Sequence, residues 1–214
     1  MKKYLKNSKI CKFHYFSYNL LIFYIISIIL VKEGERVKKV LYIFGQLDDK
    51  DVDWLINNGD NEKVEANKVL IKKGNKAKYL YIILDGKFSI LAGKDGDKKV
   101  AELLSGEFVG EMSFVDSAPP NATVKSDMDS SVYSILKSKL ENKIKEDQGF
   151  GYRFFRAIST FLADRLRTTT SLLSGVKQQE MDDEINFDND STVFDNIAIA
   201  GERFHRMLTK MQHK

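Results

Sequence analysis

The chain has 214 residues, 43% hydrophobic and 30% charged, enough for one domain with extensions or two small ones, and these globular proportions exclude wholesale disorder. A single cysteine, Cys11, excludes an internal disulfide framework and a multi-thiolate metal site. The net charge of +4 is uneven: residues 1–39 hold nine bases and two acids, residues 40–174 twenty of each, and residues 175–214 five bases and eight acids, so the basic excess lies in the N-terminal arm rather than on a body fit for nucleic acid.

Residues 1–36 are an arm with three readings. Five lysines precede an apolar run from Leu20 to Val31 broken only by Ser27. That pattern resembles a signal peptide, but no small-x-small cleavage site follows Val31. Residues 13–31 would serve as a single membrane span, although the apolar core is short of the roughly 20 residues usually needed. The preferred reading is translated spacer DNA ahead of a true start at Val37, because the arm is rich in Lys, Asn, Ile, Phe and Tyr. The protein is expected to be cytoplasmic, or membrane-anchored if residues 13–31 are genuine.

The body, residues 37–174, opens with a helix over residues 47–59. Asp48 is its N-cap, Val52, Leu55 and Ile56 its apolar face, and Gly59 its end. From Glu62 to Leu136 the period becomes strand-like. Short runs at Val69 to Ile71, Tyr79 to Leu84, Phe88 to Leu91, Val100 to Leu104, Thr123 to Val124 and Val132 to Leu136 are separated by turn residues. Asp85-Gly86 and residues 93–97 read as hairpin-type turns. This spacing predicts a small all-β barrel or sandwich.

Helical periodicity returns at Ser138 to Lys145 and then over Phe150 to Leu173, where Phe155, Ile158, Leu162, Leu166 and Leu173 form a stripe widened by Phe154 and Phe161. The stripe would cover the barrel, and its width leaves room for self-association through residues 150–173. Residues 175–190 are an acidic linker. Residues 191–214 form a final amphipathic helix with Val193, Ile197, Phe204, Leu208 and Met211 on one face.

Two stretches carry the information about function: Leu70 to Gly86, with its basic Lys72-Lys73-Gly74 turn before an apolar strand, and Gly110 to Ser126, GEMSFVDSAPPNATVKS. Together they resemble the cyclic nucleotide-binding domain of catabolite activator proteins and of the regulatory subunits of cAMP-dependent kinase, over roughly residues 40–174. The resemblance implies a mainly β fold with flanking helices: a jelly-roll-like β-roll, a long C-terminal helix and a short helical tail. It implies a phosphate-binding cassette at Gly110, Glu111, Met112 and Ser113, continuing through Pro120, Asn121, Ala122 and Thr123. Gly110 would admit backbone close to the ligand. The N–H groups of Met112 and Ser113 would face the phosphate, and Glu111 would accept a hydrogen bond from the ribose 2′-hydroxyl.

The family's cassette ends in an arginine that grips the phosphate, often bidentately. Here Pro120 or Asn121 takes its place, and no Lys or Arg occurs from Val100 to Val124. Losing the charged partner of a buried anion costs roughly 2–5 kcal/mol. That is about 30-fold to several-thousand-fold in affinity. Binding of cAMP or cGMP is therefore expected to be weakened, or the pocket to take another small molecule.

Pro119 to Val124 and the tail residues Asp195, Asn196, Ala200, Gly201, Arg203 and Phe204 also resemble a group of small stand-alone bacterial proteins with one such domain. The 39 residues after Gly175 are acidic and leave no room for a three-helix DNA reader. His14, His205 and His213 have no metal-ligand spacing, and no phosphate-loop lysine motif or nucleophile elbow occurs. The expected function is a non-enzymatic regulatory module without metal or cofactor. The alternative is a degenerate domain acting as a dimerisation or interaction scaffold.

Overall fold

The structure, a computed structural model, describes residues 43–93, 98–174 and 191–212. Chain contacts separate Met1–Val37 from Lys38–Lys214, and the fold described here belongs to the second unit. The N-terminal arm, the Val37 start, the linker over residues 175–190 and most of the turn over residues 93–97 lie outside the described residues. No helix among the described residues is long and apolar enough to cross a membrane.

Helix α1 (Asp49–Asn58) starts where expected. The Asp51 carboxylate accepts the Asp48 N–H at 2.8 Å, satisfying a donor that the first helical turn leaves unpaired. Eight strands follow in two four-stranded sheets. They are β1 (Asp60–Val64), β2 (Val69–Ile71), β3 (Tyr79–Asp85), β4 (Lys87–Ala92), β5 (Lys98–Leu104), β6 (Phe108–Val109), β7 (Thr123–Ser126) and β8 (Ser130–Leu136). One sheet has the order β1-β8-β3-β6 and the other β2-β7-β4-β5, with every pairing antiparallel. Further helices among the described residues are the single turn α2 (Met112–Val115), α3 (Lys137–Glu146), the 27-residue α4 (Gln148–Ser174) and the tail helix α5 (Ser191–Gln212).

Strand β3 shows why its sequence is apolar without alternation: both of its faces are covered. Tyr81 and Ile83 point into the core between the sheets with Ile71, Phe88, Val109, Val124 and Val132. Leu80, Ile82 and Leu84 point into a second core shared with α1, α4 and α5.

Asp85-Gly86 is not a hairpin turn, because β3 and β4 belong to different sheets. It is the corner at which the chain changes sheet. Gly86 has φ +101°, and a Cβ there would run into the Ser130 side chain. Strands β4 and β5 do pair as a hairpin across residues 93–97.

The apolar stripe of α4 is rotated from its expected phase. Phe150, Phe154, Ala157, Ile158 and Phe161 are the buried face, whereas Phe155, Leu166 and Leu173 are exposed. The aromatic side chains won the core because they meet aromatic partners there. Phe108 is edge-on to both Phe154 and Phe161, and Phe150 stacks on Phe154.

The tail helix folds back on its own domain. Ala200, Met207 and Met211 are buried and Phe204 packs on Phe44 at 5.3 Å between ring centroids. Arg203 donates to Asp49 at 2.7 Å and to the Phe44 carbonyl at 3.0 Å, and Lys210 reaches Asp53 at 3.3 Å. The side chains of Val193 and Ile197 lie outside the described ones.

Candidate ligand-binding site

The segment between β6 and β7 cannot continue either strand. Gly110 turns the chain with φ +89°, and a Cβ there would sit 3.2 Å from both Ile71 Cδ1 and the Tyr79 carbonyl. Helix α2 follows, its turn closed by Phe114 and Val115 N–H groups donating to the Glu111 carbonyl at 3.1 and 3.0 Å. The far end of the segment is pinned by the Gly74 N–H, which donates to the Pro120 carbonyl at 2.8 Å. A cleft of about 120 Å³ opens between this segment and the inter-sheet core. Gly110, Glu111, Met112, Ser113, Pro120, Asn121 and Ala122 all border it, above a floor that includes Ile71, Leu103 and Val124. Thr123 is not among the bordering residues; its hydroxyl accepts the Lys73 N–H at 3.1 Å.

Glu111 is 3% exposed and already has a partner. The Arg165 guanidinium reaches down from α4, and its Nη1 donates to Glu111 Oε1. Arg165 Nη2 lies 3.5 Å from Glu107 Oε2, a second carboxylate only 3% exposed. Arg165 Nη2 is buried and, although it lies beside that carboxylate, makes no hydrogen bond among the described residues. The guanidinium also lies over the Phe161 ring, 4.8 Å from its centroid. Burial pushes the Glu111 carboxyl above the ordinary carboxylate range, while Arg165 pulls it back down.

A second cation approaches from the opposite side. Lys137, the first residue of α3 and 8% exposed, donates its Nζ to Ser113 Oγ at 2.7 Å, and Ser113 Oγ donates to the Gly110 carbonyl at 3.2 Å. Burial lowers the Lys137 pKa, opposed by the charges of Glu111 and Asp116. Neither cation is legible from the cassette alone. Arg165 does carry a signal: it lies four residues beyond Phe161 and seven beyond Ile158, so it continues the buried face of α4. Among the described residues no group of three or more His, Cys, Asp or Glu is placed to hold a metal ion.

The site as a whole is a small apolar cleft bordered by the buried Glu111 carboxylate, the Arg165 guanidinium and the backbone of the cassette. At about 120 Å³ it is below the roughly 300 Å³ of the smaller drug-sized pockets. Arg165 is among the residues that border it.

Residues 61–147 match the family model described as the cyclic nucleotide-binding domain. A cAMP-dependent protein kinase regulatory subunit from Blastocladiella emersonii is 27% identical over 96 residues, which is 44% of this chain and 24% of the relative. The chain therefore spans about a quarter of that curated protein. A solved cyclic nucleotide-binding domain from Methylobacillus flagellatus KT superposes with TM-score 0.59 at 16% identity, covering 67% of this chain and 85% of its own. The catabolite activator protein of Thermus thermophilus superposes with TM-score 0.50 at 19% identity, covering 78% of this chain and 84% of its own. These two share the fold: two antiparallel sheets with a long helix behind them. Over residues 61–147 this chain is similar to the cyclic nucleotide-binding domain family, and it shares the fold of these two solved structures.

Proposed function

We propose that the domain is a non-enzymatic regulatory module that takes a cyclic nucleotide, cAMP or cGMP, with its ribose on Glu111 and its phosphate against the backbone of Gly110 to Ser113. The observation that carries this reading is the burial of Glu111 at the floor of the cassette, 3% exposed and bordering the cleft. A carboxylate so placed costs stability unless something uses it. Affinity is weakened for two reasons. Pro120 and Asn121 bring no charge to the phosphate, and the ligand must displace Arg165 from Glu111.

The route from pocket to output runs through aromatic contacts. Phe114 of α2 packs edge-on against Phe154 at 5.9 Å and stacks on Phe155 at 6.0 Å. A ligand that repositions α2 therefore acts on α4 directly, and it shifts whatever equilibrium α4 takes part in. Tyr152, Phe155, Leu166 and Leu173 leave large apolar area on the outer side of α4, which supports self-association through residues 150–173 as that equilibrium.

Thermal unfolding of the intact chain with about 10 mM cAMP tests the reading. At a Kd near 0.1 mM, a hundredfold excess adds about 2.7 kcal/mol. At roughly 2–4 °C per kcal/mol for a chain of this size, the midpoint rises by about 5–10 °C. No rise with either cAMP or cGMP would favour the second reading, a scaffold without ligand. One observation supports that reading: Arg165 of the same domain supplies the counter-charge of Glu111.

A further inference from the structure

We infer that Arg165 is the phosphate-binding cation of this pocket, supplied by α4 in place of the cassette arginine, and that it reaches the ligand by leaving Glu111. The inference rests on the reading of the cleft as a cyclic nucleotide site. Four observations converge on Arg165. It borders the same cleft as Pro120, Asn121 and Ala122. Its side chain is 27% exposed, so it retains access to that cleft while Glu107 and Glu111 beneath it are buried. Its Nη2 meets Glu107 only at 3.5 Å and makes no hydrogen bond among the described residues, so that donor is held only by a long ion pair. It sits on the Phe161 ring, a flat surface on which the head group can turn without losing contact.

The exchange trades one ion pair for another: Arg165 passes from Glu111 to the phosphate, and a neutral hydroxyl donor takes its place on Glu111. Without ligand, Arg165 is the counter-ion of Glu111. A ribose 2′-hydroxyl donates to Glu111 and takes over one of its hydrogen bonds. The freed guanidinium then meets the monoanionic phosphate, and Glu107, at 3.5 Å from Nη2, remains beside it. Lys137, another cation near the cassette, is committed elsewhere: its Nζ donates to Ser113 Oγ at 2.7 Å. Because Arg165 is on α4, the exchange also changes what holds the C-terminal half of that helix to the cassette.

Calorimetric titration of cAMP into the intact wild-type chain, Arg165→Gln and Arg165→Lys tests the inference, with thermal unfolding of each variant as the fold control. Loss of the charge is expected to weaken cAMP binding at least 30-fold, and Arg165→Lys is expected to recover most of that loss. Equal affinity in wild type and Arg165→Gln would overturn the inference while leaving the cyclic nucleotide reading intact. An equal loss in the Gln and Lys variants would also overturn it, since a packing role is not rescued by charge. If the wild type takes no cAMP or cGMP, inorganic phosphate titrated into Glu111→Gln decides Arg165 separately. Phosphate binding that disappears in the Glu111→Gln, Arg165→Gln double variant would uphold Arg165 as an anion site and discard the nucleotide reading. No phosphate binding there would discard both.

Discussion

Phe161→Ala is expected to destabilise the domain by about 3–5 kcal/mol. The ring is 1% exposed and lies in the core shared by the helices and the first sheet. It meets Phe108 edge-on at 5.7 Å and carries the Arg165 guanidinium on its other side. Truncation removes the ring's transfer energy and leaves a cavity in the core one helical turn before Arg165, which borders the cleft. At roughly 2–4 °C per kcal/mol the unfolding midpoint falls by about 6–20 °C. Phe161→Leu keeps most of the volume but removes the aromatic face. It should cost markedly less stability while still loosening Arg165. Urea unfolding of the two variants reads both effects. Equal stability of wild type and Phe161→Ala would mean that α4 does not pack on the barrel as described.

Asp51→Ala is expected to cost about 3 kcal/mol, near the lower end for breaking a buried ion pair. Asp51 is 2% exposed and accepts from both Nε and Nη2 of Arg153, at 2.6 and 2.9 Å. The same carboxylate accepts the Asp48 N–H that opens α1. One side chain thus closes a helix start and ties α1 to α4. The cost is held down because Arg153 is 21% exposed and keeps Asp48 at 3.3 Å. Asp51→Asn retains one acceptor and should cost less than Asp51→Ala. Guanidinium melts of the pair check the order, and Asn being as damaging as Ala would show that charge, not hydrogen bonding, holds this junction.

The fold was largely legible because most of its strands alternate or run apolar between turn residues, the polar β1 excepted, and because the helical period is plain on either side of them. The failures have separable causes. Strand β6 is two residues long, too short for any period to show. Asp85-Gly86 has the local chemistry of a hairpin turn, but local chemistry does not say which strand lies beside which, and the chain changes sheet there. On α4 both Phe154 and Phe155 are apolar, so the phase of the stripe was open to a shift of one residue. Phe108, edge-on to Phe154, marks Phe154 as the core position, whereas Phe114 touches both rings.

Seven of the cassette residues come together around the cleft because they lie on one continuous segment, which a motif can capture. The counter-charge was not legible in the same way. Arg165 is 54 residues from Glu111, and a search for cations confined to the cassette passes over it. Its register with Ile158 and Phe161 on a buried helical face was the available signal: an arginine where the core stripe should continue needs a buried partner.

The most direct test of the account is a calorimetric titration of cAMP into the intact wild-type chain and into Glu111→Ala. The account predicts one saturable site with a Kd between tens of micromolar and about a millimolar, weakened at least about tenfold when the carboxylate is removed. No heat at several millimolar ligand, or an isotherm that Glu111→Ala leaves unchanged, would contradict it.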